Sequence, residues 1–195
     1  ALRKYPKRIV LAAGAFLSVQ VTFYILIAFL LAYGVASAEM SRDDMLTAIL
    51  IAAALMVPLQ FMFSAYSDRH GRRGIFMLGA GLTAVWAFII FPLVDTGNFY
   101  LIVLAITGGL TFLAMMYGPQ AAFFTELFST EVRYSGASLG YQIGAILGGA
   151  LAPTIAVMLW NTYGIFYVSV YMAVAAVATI VCVSLLSETS GSDLE

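Results

Sequence analysis

Uncharged polar side chains set inside long apolar runs are the residues of this chain that could hold a ligand. Gln20 and Tyr24 stand four apart in a stretch without charge, so a helix places them on one face, with Thr22 between them. Tyr117 and Gln120 share a face in a later stretch, and Gln60 and Gln142 stand nearer to charged segments. A side-chain amide both donates and accepts hydrogen bonds, and so does a phenol, which suits an uncharged surface that binds a small organic molecule. The competing role is structural, with a buried glutamine bonded to a backbone carbonyl of a neighbouring helix.

Ionisable side chains are absent from those runs and gather in short polar segments. His70 is the one histidine and Cys182 the one cysteine, so an intrachain disulfide is impossible and a zinc site or Cys–His nucleophile is unsupported. No phosphate loop or catalytic triad spacing occurs, no cofactor is expected, and an intramembrane enzyme would lack its polar groups. The nine methionines suit core or lipid-facing positions better than a metal-transfer stripe. The first polar segment reads Ser64-Ala65-Tyr66-Ser67-Asp68-Arg69-His70-Gly71-Arg72-Arg73-Gly74. Asp68 falls where a helix ends and the dipole disfavours an anion, so either the arginines that follow or the N-terminus of another helix is expected to compensate it. In the second segment Glu126 and Arg133 flank Glu131. Glu126 is expected to pair with Arg72 or Arg69, with Asp68 or Glu131 in the same cluster.

The runs themselves define the architecture. The chain has 195 residues, 63% hydrophobic and 10% charged, with a mean hydropathy of +0.99. Soluble domains are nearer 25% charged, so a soluble enzyme, a disordered region and a nucleic-acid-binding domain are excluded. Charge-free runs cover 9–38, 45–67, 74–94, 96–125 and 134–187. About 20 helical residues cross a bilayer core. The first four runs are one span each, and the last folds back at Asn161-Thr162-Tyr163-Gly164. The expectation is an all-α membrane protein of six transmembrane helices near 9–36, 45–66, 75–94, 99–124, 138–160 and 165–186. A β-barrel would need alternating segments that are absent. Arg3, Lys4, Lys7, Arg8, Arg69, Arg72, Arg73 and Arg133 fall on one face and Arg42 alone on the other, so both termini are expected in the cytoplasm. Pro58, Pro92, Pro119 and Pro153 can each kink a span. Residues 1–188 are read as one six-span domain and 189–195 as a disordered or cloning-derived tail. The start at Ala1 suggests a piece of a longer chain.

The two polar segments resemble those of the major facilitator superfamily. The first matches the loop pattern G-x-x-x-D-R-x-G-R-R, with Ser64 in place of the first glycine. The second, Glu126-Leu127-Phe128-Ser129-Thr130-Glu131-Val132-Arg133, resembles the loop between helices ten and eleven of sugar porters, with Ser129 where they usually have proline. The flanking P-Q-A-A-F-F and R-Y-S-G-A-S-L-G-Y-Q are closer to the metabolite:proton symporter family. The resemblance runs from about Arg3 to Glu188 and implies helices seven to twelve, a major-facilitator-type half-bundle. It implies that the first and fourth spans line the cavity, which makes Gln20, Tyr24 and Tyr117 the preferred substrate contacts. It also implies that Asp68, Arg69, Gly71, Arg72, Arg73, Glu126 and Arg133 form a cytoplasmic gating network. Relatives often carry an acidic residue and Asn in helix seven, where this chain has Ser18-Val19-Gln20-Val21-Thr22.

Gly136, Gly140, Gly144 and Gly148 recur every four residues, a face that lets another helix approach closely. The partner could be a helix of the same bundle or, as the resemblance implies, the other half of the transporter. The expected function is the C-terminal half of a secondary active transporter for a small organic carboxylate or zwitterion, working by alternating access with proton coupling through the other half. The expected partners are the metabolite, the lipid bilayer and either a missing N-terminal six-helix half or a second copy in a symmetric homodimer. The expected place is a plasma membrane, the inner membrane of a bacterium. The rival readings are a six-span scaffolding protein and a homodimeric half-size carrier.

Overall fold

The computed structural model of the protein describes residues 6–126 and 133–186, with side chains from 136 onward in the second segment. Six helices are long and apolar enough to cross a membrane: α1 (Pro6–Ser37), α2 (Arg42–His70), α3 (Arg72–Asp95), α4 (Phe99–Glu126), α5 (Gly136–Tyr163) and α6 (Ile165–Ser184). No strand occurs among the described residues. Each expected span is present, and the turns follow the local chemistry. Gly71 and Gly164 adopt φ of 97° and 99°, a region other residues rarely enter, and join α2 to α3 and α5 to α6. Ser41 caps α2 by accepting from the Asp44 N–H at 3.0 Å, and Asp43 and Asp44 lie in its first turn, where the dipole favours anions.

Burial ranks the helices. In α1, 61% of the most apolar window is buried inside the bundle, against 17% in α2. The first span is therefore the centre of the assembly and the second its exposed flank. α4 packs along α2 and α3, while α1 packs along α5 and α6. Trp86 ties α3 to α4: its indole N–H donates to the Ala105 carbonyl at 2.9 Å. Trp160 belongs to an aromatic cluster with Phe29 and Tyr33.

The glycine face of α5 packs inside this bundle. A Cβ at Gly140 would lie 2.9 Å from the Ala12 Cβ, one at Gly144 would lie 2.6 Å from the Phe16 Cβ, and one at Gly148 would lie 2.9 Å from the Leu17 carbonyl oxygen. Gly136 is buried as well. The face that the resemblance assigned to the other half is thus taken up by α1. Small residues there let two backbones approach, which is how helices associate where lipid removes the hydrophobic driving force.

Two spans depart from regular α-helix. Ile25–Phe29 in α1 and Ala145–Ala150 in α5 are π-helical turns. Pro153 explains the second, since it has no N–H for the Gly149 carbonyl four residues back. Nothing in the local sequence explains the first.

Candidate functional site

A cavity of about 290 Å³ opens where α1, α2, α4 and α5 meet. Its lining comprises Val19, Gln20, Phe23 and Tyr24 from α1, Met56 and Gln60 from α2, Leu113 and Tyr117 from α4, and Tyr141 from α5. All three preferred contacts, Gln20, Tyr24 and Tyr117, therefore face one space. The positions follow from helix period: 19, 20, 23 and 24 form one face of α1, and 113 and 117 one face of α4. Small residues make the room. A Cβ at Gly149 would lie 2.8 Å from the Tyr24 ring and 3.4 Å from the Gln20 amide oxygen. One at Gly118 would lie 2.9 Å from the Gln60 carbonyl oxygen, so α4 approaches α2 closely beside Tyr117.

The lining has two amides and three phenols but no acid or base. It can hydrogen-bond to and stack on an organic molecule, and it offers no counter-ion. Gln20 is buried, whereas Tyr24 and Tyr117 are 39% and 41% exposed, so the rings form the open wall. Gln120, on the Tyr117 face by spacing, is turned away and buried at 6% exposure beside Phe16 and Phe124. Gln60 enters the site although its sequence position had suggested a depth nearer the loops. Tyr141 and Phe23 gave no signal in the sequence.

The backbone of α1 is held from outside just before this face. The Ser18 N–H donates to the Thr179 hydroxyl at 3.0 Å, and that hydroxyl donates to the Gly14 carbonyl at 2.9 Å. These are the two groups that an unbroken α-helix joins directly, so a side chain of α6 sits astride a rung of the α1 ladder. Gly14 permits it, because a Cβ there would lie 2.3 Å from the Cys182 sulfur. Past the π-turn, the buried Tyr33 donates to Asp95 Oδ1 at 2.6 Å and fastens the far end of α1 to α3. The segment with Val19, Gln20, Phe23 and Tyr24 thus lies between two fixed points, with the π-turn beside it.

At the basic end one arginine serves two carboxylates. Arg72 lies 3.1 Å from Asp68 and 2.9 Å from Glu126. Asp68 sits in the last turn of α2, where the dipole disfavours it, and Arg72 starts α3, while Glu126 reaches Arg72 from the last described residue of α4. The Arg72 and Glu126 side chains are 13% and 19% exposed and Asp68 is 55% exposed, so the Glu126 pair is the better shielded from water. Arg73 donates to the Ser184 carbonyl at 2.6 Å and adds the end of α6. Gly71 makes the turn between the two arms, and Arg69 is exposed beside it. Glu131 lies outside the described residues, as does the Arg133 side chain.

This bundle is that of a polytopic membrane protein, with six helices long and apolar enough to cross a bilayer and an uncharged, polar-edged cavity among four of them. The whole chain, residues 1–195, matches the family model "Sugar (and other) transporter". The inner membrane metabolite transport protein YhjE of Escherichia coli is 32% identical over 99% of this chain and 45% of its own length. The shikimate transporter of Escherichia coli is 28% identical over 85% of this chain and 40% of its own length. The proline/betaine transporter of Escherichia coli is 26% identical over 98% of this chain and 38% of its own length. The chain belongs to the sugar (and other) transporter family of the major facilitator superfamily and is a multi-pass plasma-membrane protein. It spans less than half the length of these relatives.

Proposed function

We propose that this chain is the C-terminal six-helix half of a secondary active transporter, with both termini cytoplasmic. The transporter moves a small organic carboxylate or zwitterion by alternating access and is coupled to protons. The observation that carries this reading is the convergence of Gln20, Tyr24 and Tyr117 on one cavity beside the π-turn of the most buried helix. An uncharged lining supports a division of labour. This half supplies hydrogen bonds and ring surface, and the counter-charge and proton carrier come from the other half. The ion pairs of Arg72 support a second role, bracing the basic ends of α2, α3 and α4 so that they move as one body.

The test uses the intact protein, with whatever its gene encodes on either side of this chain. It is reconstituted in vesicles and offered a panel of labelled hydroxy-acids, betaines and sugars. The expected result is uptake of a carboxylate or zwitterion that an imposed inward proton gradient stimulates and a protonophore abolishes. Uptake of sugars alone, or uptake indifferent to the gradient, would overturn the substrate class or the coupling. No uptake of anything, with correct folding, would favour the scaffolding reading. Activity of the 195-residue chain alone would favour a homodimeric carrier.

A further inference from the structure

A second cavity, of about 460 Å³, lies at the basic end of the bundle. Its floor is Met115, two residues from both Leu113 and Tyr117 and therefore about 200° around α4 from each. It thus opens on the opposite side of α4 from the candidate site. Met62, Tyr66 and His70 of α2 and Gly74 and Leu78 of α3 form its walls. Both helices pack along α4 and touch each other little, which leaves a groove between them. Nothing lies within 4 Å of a Cβ built on Gly74, so the groove is open there. Met62 and Leu78 are 64% and 55% exposed. From His70 back to Met62 the wall rises about 12 Å into the membrane. Charges of both signs stand near the mouth, Arg69, Arg72 and Arg73 against Asp68 and Glu126, a net of one positive charge, and Arg72 holds both acids. Arg69 is exposed next to His70, whose ring stacks on Tyr66 with centroids 4.3 Å apart.

We propose that this groove seats one acyl chain of an anionic phospholipid, with the lipid phosphate at Arg69. The lining and the mouth make opposite demands, an apolar tail about 12 Å long and an anionic head, and a phospholipid of the surrounding leaflet meets both. A small polar metabolite would leave the apolar walls unmatched. The site depends on membrane insertion alone and not on what the protein transports.

The experiment places a benzophenone amino acid at Leu78 in the intact protein and, as a control, at the exposed Val85 two turns further along α3. Vesicles contain phosphatidylglycerol and phosphatidylcholine in equal amounts, and cross-linked lipids are identified by mass spectrometry after illumination. The position-78 probe is expected to capture phosphatidylglycerol over phosphatidylcholine by roughly fivefold, the size of one arginine's attraction to an anionic lipid. The control is expected to capture both equally. Arg69→Gln should remove the preference, and Gly74→Leu should lower capture of both lipids at 78 by filling the groove. Equal capture of the two lipids at 78, a preference that survives Arg69→Gln, or capture indifferent to Gly74→Leu would each overturn the proposal.

Discussion

Gln20, Tyr24 and Tyr117 were legible as candidates because a polar side chain deep in an apolar helix needs a partner, and spacing assigns it a face. Their convergence depends on how helices 90 residues apart in sequence cross, which no local pattern encodes. Removing one neutral hydrogen bond to a ligand typically weakens binding by ~1 kcal/mol. In the intact protein Gln20→Leu and Tyr117→Phe should therefore each raise the transport KM by about fivefold or more at unchanged surface expression. Gln120→Leu should leave KM alone, since that side chain points away from the cavity. Equal effects at 117 and 120 would show that kinetics do not follow the lining. At the loops, opposite charges on the two polar segments pointed to a pairing of Glu126 with Arg72 or Arg69, and the structure has it on Arg72. Truncating one partner of a fully buried pair costs ~3–5 kcal/mol and an exposed one under about 1. Thermal stability in detergent should fall most for Arg72→Gln, less for Glu126→Gln and least for Asp68→Asn, in the order of shielding. A reversed order would mean that burial does not govern these pairs.

At the scale of single helices, their number, lengths and approximate ends were readable because bilayer thickness and turn chemistry act locally. The irregularities were not. Pro153 pointed to a break in α5, but the π-turn at Ile25–Phe29 has no proline or glycine within it and must come from packing. The small-residue face of α5 was legible as a contact surface, while its partner was not, because any helix that fits will serve. With α1 as that partner, Gly144→Leu should disrupt the bundle itself. The added side chain would begin 2.6 Å from the Phe16 Cβ and 3.0 Å from the Ala13 carbonyl oxygen, and overpacking of this kind costs about 1–3 kcal/mol. A lowered melting temperature without any change in association state is the expected readout. Thr179 offers a finer test of α1. Thr179→Val keeps the shape and removes both bonds to the α1 backbone, for an expected loss of about 1–2 kcal/mol, whereas Thr179→Ser should retain them. Hydrogen exchange at the Ser18 amide, faster in the valine variant and unchanged in the serine variant, would report the bridge directly.

For the whole molecule, the arrangement puts a helix with a π-turn at the centre and most of the preferred ligand-facing residues on it. α1 is fixed by Thr179 on one side of the cavity face and by Tyr33 and Asp95 on the other, with the π-turn between. Conformational change that alternates access would need to pass through this segment, and the exposed faces of the tyrosines would then be covered and uncovered in turn. The central claim, that this cavity is the ligand site of a carrier, is tested most directly by protection of an introduced thiol. Cys182 is replaced by alanine in the intact protein, Tyr117→Cys is added, and a membrane-impermeant maleimide is applied with and without the transported metabolite. The account predicts that the metabolite slows labelling at 117 with a half-effect near its transport KM, while a cysteine at the exposed Asp43, in the first turn of α2, labels at the same rate throughout. Labelling at 117 that is indifferent to the metabolite would contradict it.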